Sequence, residues 1–356
     1  MHQDEAMRNQ AGFVALRELN KPWIDGYYLF KGRTIPRVKT RLGAVDRWGS
    51  IKARWGIGRM NYRVLPGLYA AGNPDSASSV FVTANYKMSF DALRSNLDGS
   101  DAWLLVLDTR GINVWCAAGK GTFGTGELVH RLQSLGLAKL VSHRNLVLPQ
   151  LGAPGVSAPE VARISGFRVE WGPVRAADIK AWLAKGRRKD ETMRTVSFAL
   201  RDRMAVAPIE IAHAWPLLPG SALLSLLYGL PLDTAWTARA LPVFTLLAGT
   251  IPVGTLLFPA LLPWLPSRAF VIKGGVLGIL WALGCALAFR MSPFAALSGI
   301  LVAAPVTGFF AMNFTGASTF TCQPGAFLEV EKSFWLMVVS VAAGLALAVV
   351  SRIRGI

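Results

Sequence analysis

The chain has 356 residues, a formal net charge of +17 and a hydrophobic content of 52%, and this length is sufficient for two domains of ordinary size. Charged side chains are dense up to Arg203, whereas apolar side chains dominate from Leu217 onward. The three cysteines form no CxxC pair, which argues against a disulfide framework and against an iron–sulfur cluster, since a cluster normally takes four thiolates. These features predict a soluble domain in a reducing compartment, followed by a membrane domain.

Basic residues cluster in two segments, 31–63 and 185–203. The second segment directly precedes the hydrophobic half, where the positive-inside rule and anionic lipid headgroups both favour Lys and Arg. Nucleic-acid binding is therefore the weaker interpretation of the charge. The first six residues are polar, so we expect no signal peptide.

Residues 1–64 are predicted to form a basic and aromatic arm of short helices and loops. Tryptophan and tyrosine alternate with arginine in this segment. Such a mixture packs an extension against its own domain or a membrane face more often than it stacks on nucleic-acid bases. We therefore expect the arm to be a packed extension.

Residues 65–186 alternate between strand-like and helix-like patterns. Strands are expected at 67–71, 80–83, 103–107, within 140–147 and at 167–171, and helices at 89–97, 126–135, 158–164 and 175–185. This alternation is typical of an open, Rossmann-like α/β sheet with helices on its faces. Ligands of such sheets bind beyond the carboxyl ends of the strands. We therefore expect Thr83, Asn85 and Cys116, which follow two of the strands, to converge on one pocket.

A glycine-rich segment, 111–125, follows the third of these strands and carries Cys116. Asn113 is a good N-cap, so Cys116 is expected at the third position of a short helix. The helix dipole and Lys120, four residues further on, both favour the thiolate, the form that ligates metals or attacks electrophiles. On the residues alone, a packed structural cysteine remains the first interpretation, because free cysteine is among the most buried residue types.

Residues 187–208 are predicted to be a basic juxtamembrane linker, and residues 209–356 an all-α transmembrane domain. A span needs about 20 apolar residues, and five candidates are 209–230, 241–262, 270–289, 294–314 and 334–350. Glu210, His213 and two prolines crowd the start of the first candidate, so an interfacial position is its alternative. Five spans put the C-terminus outside the cytoplasm, and four put it inside. The loop 313–332, with Cys322, is expected to be an ordinary polar loop or a contact to a partner.

The run Asn113-Val-Trp-Cys-Ala-Ala-Gly-Lys120 resembles the cap-helix motif of the corrinoid protein of microbial mercury methylation, the HgcA family. That family is related to the corrinoid-binding domain of the corrinoid iron–sulfur protein. The resemblance extends to Val82-Thr-Ala-Asn-Tyr-Lys87, to the hydrophobic C-terminal half and to Asn313-Phe-Thr-Gly-Ala-Ser-Thr319. It covers most of the chain except roughly the first sixty residues.

The resemblance implies a membrane-anchored, corrinoid-dependent methyltransferase that carries a methyl group on cobalt and transfers it to Hg(II). In that family Cys116 would be the catalytic residue and the lower cobalt ligand, through its thiolate. The implied contacts to the corrinoid are Thr83, Asn85, Asn113, Val114, Trp115, Cys116, Ala117, Gly119 and Lys120. Residues 65–186 would be the corrinoid-binding domain, which lies in the cytoplasm and is attached to the inner membrane.

The implied partners are a ferredoxin-like iron–sulfur protein, which would donate electrons and carry Hg(II), a methyl-folate type methyl donor system, and membrane lipid. No nucleic acid is implied. The absence of a histidine motif agrees with ligation of cobalt by a cysteine. Many cobalamin domains bind cobalt through the histidine of Asp-x-His-x-x-Gly, but Leu128 stands two places before His130, and Gln133 occupies the glycine position.

Two alternatives remain open at this point. A corrinoid methyl carrier of one-carbon, acetyl-CoA type metabolism would share the corrinoid domain and use another acceptor. A membrane metal transporter with a cytoplasmic domain would use Cys285 or Cys322, but the spans lack paired charges, paired cysteines and an obvious repeat. The run Gly119-Lys-Gly-Thr122 fails the phosphate-loop pattern. The four histidines form no HExxH pair, which argues against a zinc hydrolase.

Overall fold

The computed structural model describes residues 20–314, 319–320 and 323–355, without the side chains of residues 323 and 324. The chain divides into two compact units, one up to Ala53 with Ile57–Ser197, and one formed by Arg54–Gly56 with Phe198–Ile356. The first nineteen residues, most of the polar cluster at 313–319, and Cys322 lie outside the described residues.

From residue 20 onward, the first unit contains one seven-stranded sheet, with strand order β1-β2-β3-β5-β4-β6-β7. Strand β5 runs parallel to β4, β4 parallel to β6, and β6 parallel to β7, whereas β3 is antiparallel to β5. The strands are β1 Ile24–Phe30, β2 Arg33–Val38, β3 Gly67–Ala71, β4 Val80–Ala84, β5 Ala102–Leu107, β6 Asn145–Leu148 and β7 Arg168–Trp171. The predicted Rossmann-like α/β layout is confirmed.

The N-terminal segment differs from its prediction, because β1 and β2 form a hairpin that extends the sheet. The expectation of only helices and loops there is wrong over residues 24–38. Phe30 packs on Trp103 with ring centroids 5.2 Å apart, and Ile35 is fully buried. Lys31 and Gly32 form the turn with φ of 48° and 72°, as a two-residue hairpin turn requires. The many aromatic and basic residues of this segment obscure the alternation of apolar and polar side chains that would predict strands.

Helices cover both faces of this sheet. Because neighbouring residues of a strand point to opposite faces, Trp103 and Leu105 enter one apolar core, and Leu104 and Val106 enter the other. All six residues of β5 are buried, which identifies it as a central strand. The helices are α1 Ala44–Arg54, α2 Lys87–Ser95, α3 Val114–Gly119, α4 Thr125–Ser134, α5 Leu137–Leu140, α6 Ala158–Ser165, α7 Ile179–Ala184 and α8 Glu191–Arg194.

The second unit is helical. Within the described part of this unit, four stretches are long and apolar enough to cross a membrane: Trp236–Leu261, Phe270–Ala288, Pro293–Asn313 and Gly325–Arg354. A pair of helices bent by 49°, Leu200–Ala214 and Leu217–Gly229, makes a fifth if it counts as one span. The prediction of about five helices is therefore confirmed as four or five. The helices are α9 Leu200–Met204, α10 Ala207–Ala214, α11 Leu217–Gly229, α12 Trp236–Pro252, α13 Phe258–Leu261, α14 Phe270–Ala288, α15 Pro293–Asn313 and α16 Gln323–Arg354.

Small residues let two of these helices approach closely. A side chain at Gly274 would come within 2.5 Å of the Thr307 carbonyl oxygen, and one at Gly278 within 2.2 Å of the Thr307 hydroxyl. That hydroxyl donates to the Gly274 carbonyl oxygen at 2.8 Å. Helices α14 and α15 therefore pack through small residues and an interhelical hydrogen bond, as is common in membranes.

Arginines tie the bent pair to both ends of the helical unit. Arg203 Nε donates to the Pro259 carbonyl oxygen at 2.8 Å, beside the end of α13. Arg352 Nη2 donates to the Leu230 carbonyl oxygen at 2.6 Å, just after α11. The segment 200–229 therefore runs from one end of the helical unit to the other.

Candidate cofactor-binding site

The short helix α3 holds Cys116 at its third position, as predicted. Asn113 is the N-cap, and its Oδ1 accepts the Cys116 backbone N–H at 2.9 Å. The Asn113 amide also donates from Nδ2 to Cys116 Sγ at 3.5 Å. The thiol is half-buried. One side chain thus orients both the backbone and the sulfur of Cys116.

Asn85 fixes the loop that leads from β5 into α3. Its Oδ1 accepts the backbone N–H of Thr109 at 3.1 Å, the Thr109 hydroxyl at 2.9 Å and the Gly111 N–H at 2.9 Å. Its Nδ2 donates to Asp108 at 3.0 Å. Asn85 is itself buried. The Asn85 side chain therefore forms hydrogen bonds to the loop that positions Cys116. Its direct contact with a cofactor stays a prediction.

A cavity of about 340 Å³ lies at the carboxyl ends of the parallel strands, between them and the start of α3. One face of α2 and the loops after β6 and β7 complete its wall. Its lining is mostly apolar, and Thr83 and Ser89 contribute hydroxyl groups. The residues are Phe81, Val82, Thr83, Ser89, Ala92, Leu93, Asn113, Val114, Trp115, Val147, Leu148, Pro149, Leu151, Gly172, Pro173, Val174, Ala176 and Ile179.

The structure brings four of the nine predicted contact residues to the cavity wall. These are Thr83, Asn113, Val114 and Trp115, and Cys116 follows Trp115 on the same helix. The other residues of the motif lie elsewhere. Ala117 is buried in the core, and Gly119 and Lys120 are exposed without lining this cavity. Their predicted contacts with a cofactor remain predictions.

The glycine-rich turn after α3 wraps around Phe123, which is fully buried. A side chain at Gly155 would come within 2.1 Å of the Phe123 carbonyl oxygen, and Gly121 has a φ of 77°. The chain thus needs glycine at these two positions for a close backbone contact and for a left-handed turn. Both requirements arise from the backbone of the protein itself, without a ligand.

The far wall of the cavity was missed in the sequence. It consists of the loops after β6 and β7, including Pro149, Leu151 and Pro173. Lys189 braces this wall by donating to Gln150 Oε1 at 2.5 Å and to the Gly172 carbonyl oxygen at 3.4 Å. Burial lowers the pKa of Lys189. The position of these loops could have indicated this wall, because they also follow the carboxyl ends of parallel strands.

The residues present suit a cofactor that combines an apolar body with a metal ion. The cavity supplies apolar walls, and α3 supplies a soft sulfur donor. Among the described residues, no three His, Cys, Asp or Glu side chains come together to hold a metal ion. A metal carried by a macrocycle and completed by one side chain therefore suits this donor set better than a protein-only metal site.

Comparisons with known proteins place the similarity in this unit. Residues 58–183 match the family model of the CO dehydrogenase/acetyl-CoA synthase delta subunit. The acetyl-CoA decarbonylase/synthase complex subunit gamma of Archaeoglobus fulgidus is 33% identical over 129 residues, which are 36% of this chain and 27% of that protein. The subunit gamma of Methanopyrus kandleri is 34% identical over 125 residues, covering 34% of this chain and 26% of that protein.

The subunit gamma of Methanocaldococcus jannaschii is 37% identical over 92 residues, or 25% of this chain and 19% of that protein. The chain thus spans about a quarter of the length of these curated relatives, and the match to the family model ends before the helical unit. The comparisons support the predicted corrinoid cofactor. They also favour the one-carbon methyl carrier over mercury methylation, since the relatives are named for acetyl-CoA chemistry.

Proposed function

We propose that the protein is a membrane-anchored methyl carrier whose α/β unit binds a corrinoid beneath α3. The observation that carries this proposal is the position of Cys116, on an N-capped helix that forms one wall of an apolar cavity at the carboxyl ends of parallel strands. When bound, the corrinoid supplies a cobalt ion that accepts and releases a methyl group. The similarity of residues 58–183 to subunits of an acetyl-CoA complex supports the same chemistry.

In this proposal the Cys116 thiolate would ligate the cobalt of the corrinoid. Asn113 holds the sulfur in place through the contact from its Nδ2. Val114 and Trp115 give the ring an apolar surface, and the Thr83 hydroxyl is available to the amide groups at its rim. A thiolate is a soft, strongly donating ligand, and Cys116 would supply electron density to the metal.

For the methyl acceptor, we propose Hg(II). The soft thiolate of Cys116 would suit transfer of the methyl group together with its bonding electron pair, and Hg(II) is a soft electrophile that can accept such a group. The resemblance of the run 113–120 to the mercury-methylation motif supports this acceptor. Two electrons must then return to the protein for each turnover. Because the chain has three cysteines and a cluster normally takes four, a ferredoxin-like partner would supply the electrons.

A second acceptor is favoured by the comparisons. The gamma subunits that match are parts of an acetyl-CoA decarbonylase/synthase complex, so partner proteins and a one-carbon acceptor are the alternative for this chain. Both candidates would use the same cofactor. They differ in the group that receives the methyl.

Cofactor binding is tested by the ultraviolet–visible spectrum of the full-length protein, expressed with cobalamin and purified in detergent. We expect bound corrinoid, and a shift of its bands in Cys116→Ala. Cys285→Ala is a matched control, because this buried thiol lies in α14 and its removal should leave the spectrum unchanged. Absence of corrinoid in the wild type, or identical spectra for wild type and Cys116→Ala, would refute cysteine ligation.

The acceptor is tested on the methyl-loaded protein with a reduced ferredoxin. Methylmercury formation that depends on Cys116 would support Hg(II). Transfer only to the acceptors of an acetyl-CoA complex would favour the second candidate. For location we propose the inner membrane, with the α/β unit in the cytoplasm, and the basic segment 185–203 supports that side.

A further inference from the structure

The outward face of α1 is apolar in a part of the chain that is otherwise charged. Trp48, Ile51 and Trp55 are 61%, 45% and 43% exposed. At 3.6 residues per turn they lie one above another, on a single stripe that continues beyond the last helical residue, Arg54. Three large apolar side chains on one helix face are not the scattered exposure of an ordinary surface. We call this stripe the α1 outward face.

Cations flank this stripe on both sides. By helical spacing, Lys52 lies on one side of it, and Arg47 and Arg54 lie on the other. Residues 41–60 contain five arginines or lysines and a single acid, Asp46. That acid is buried on the opposite side of the helix, where it pairs with Lys87 and Arg94 at 2.8 Å each. Within residues 41–60, every exposed ionisable side chain is therefore positive.

Three residues at the end of this helix and just after it group with the helical unit. Arg54–Gly56 belong to that unit, where Arg54 Nη1 donates to the Ala205 carbonyl oxygen at 3.2 Å. Gly56 lies beside the side chain of Ile209, in the first half of the bent pair. Trp55, the last residue of the stripe, is thus part of the unit whose helices are long enough to cross a membrane.

We propose that the α1 outward face lies on the surface of the membrane and binds anionic phospholipid headgroups. Tryptophan and isoleucine enter the boundary between headgroups and acyl chains, while the flanking arginines and lysine contact phosphate groups. This combination of an apolar stripe with tryptophan and basic flanks is the pattern of helices that lie in the membrane interface. An acidic protein surface would also suit the cations, but the two exposed tryptophans of the stripe favour the membrane interface, where tryptophan is enriched.

The test is hydrogen exchange of the full-length protein in nanodiscs. We expect amides of residues 44–57 to exchange about tenfold more slowly in discs rich in phosphatidylglycerol than in discs of phosphatidylcholine alone. Arg47→Glu combined with Lys52→Glu should abolish this difference. The matched control is Arg163→Glu with Arg168→Glu, two exposed arginines elsewhere on the first unit, which should retain it.

A second measurement does not depend on these charge variants. Brominated phosphatidylglycerol should quench tryptophan fluorescence in the wild type more than in Trp48→Phe/Trp55→Phe. Equal exchange in both kinds of disc, together with equal quenching of the two proteins, would overturn the proposal. Protection that appears only when an acidic ferredoxin-type protein is added would also overturn it and would assign the surface to a protein partner. Neither result depends on whether the protein binds a corrinoid.

Discussion

The buried Oδ1 of Asn85 accepts three hydrogen bonds from the loop that leads to Cys116. This arrangement makes Asn85 the main support of that loop. We expect Asn85→Ala to leave the Thr109 amide without its acceptor, at a cost of about 1–3 kcal/mol. Urea unfolding of the detergent-purified protein measures this loss. We also expect the loop to move, so that corrinoid bands shift partway toward those of Cys116→Ala.

Asn85→Asp tests the acceptor and the donor of the Asn85 amide separately. It keeps an acceptor for Thr109 and Gly111 but loses the donor to Asp108, so two carboxylates would then face each other at about the 3.0 Å of the present hydrogen bond. Like charges at this distance raise a carboxyl pKa. The variant should therefore recover stability as the pH falls from 7 toward 5, whereas Asn85→Ala should not. An equal response of both variants to pH would contradict this role of Asn85.

The junction between α1 and α2 is a buried cluster of two cations and two anions. Lys87 Nζ lies 2.8 Å from Asp46 and 2.5 Å from Asp91, and Arg94 Nε lies 2.7 Å from Asp91. All four side chains are buried. Because each charge has an opposite neighbour, the cluster is balanced, and removal of one member leaves an unpaired buried charge.

We predict that Asp46→Asn destabilises the protein by about 3–5 kcal/mol, the usual cost of breaking a buried ion pair. Urea unfolding at pH 7 measures this value. The control is Asp25→Asn, since Asp25 is exposed and lies 3.7 Å from Arg37. This exposed pair should change stability by less than about 1 kcal/mol. Similar losses in the two variants would show that the cluster contributes little.

The same carboxyl predicts a pH dependence. Burial opposes ionisation of Asp46, but hydrogen bonds from Lys87 and Arg94 outweigh it, so its pKa lies below the usual value. The folded state therefore binds this proton less readily than the unfolded chain. Its contribution is present above the unfolded pKa of about 3.9 and is lost as the pH falls through the lower folded value. The stability difference between wild type and Asp46→Asn should shrink when unfolding is measured from pH 5 down to pH 3.

The elements differ in how readily the sequence predicts them. Strand β5 is an unbroken apolar run, and Asn113 before Cys116 is a strong helix start, so both are found without a structure. The hairpin of β1 and β2 is not predictable from the local sequence, because Tyr28 and Phe30 pack on Trp103, more than seventy residues away. The far wall of the cavity is hidden for the same reason. Pro149 and Pro173 join the site only through the pairing of β6 and β7 with the central strands.

At the scale of the whole molecule, the path of the bent pair determines the side on which the chain ends. Arg203 holds one end of the segment 200–229 near α13, and Arg352 holds the other end near the last turn of α16. By the positive-inside rule alone, Arg352 would be unfavourable on the outer side of the membrane. Arg352 and Arg239 bind the carbonyl groups of residues 228–231 at the end of α11. The partial negative charge of a helix C-terminus stabilises such cations, so their position has a local cause.

This arrangement predicts that the segment 200–229 crosses the membrane and that the chain crosses it five times. Alkaline phosphatase fused after Arg354 should be active outside the cytoplasm, and green fluorescent protein at the same position should be dark. Insertions at Asp233 should behave like the C-terminal fusion, whereas insertions at Ser267, between α13 and α14, should give the opposite result. If the C-terminal fusion instead reports the cytoplasm while Ser267 reports the outside, the bent pair stays on one side. Residues 236–354 then supply all four crossings.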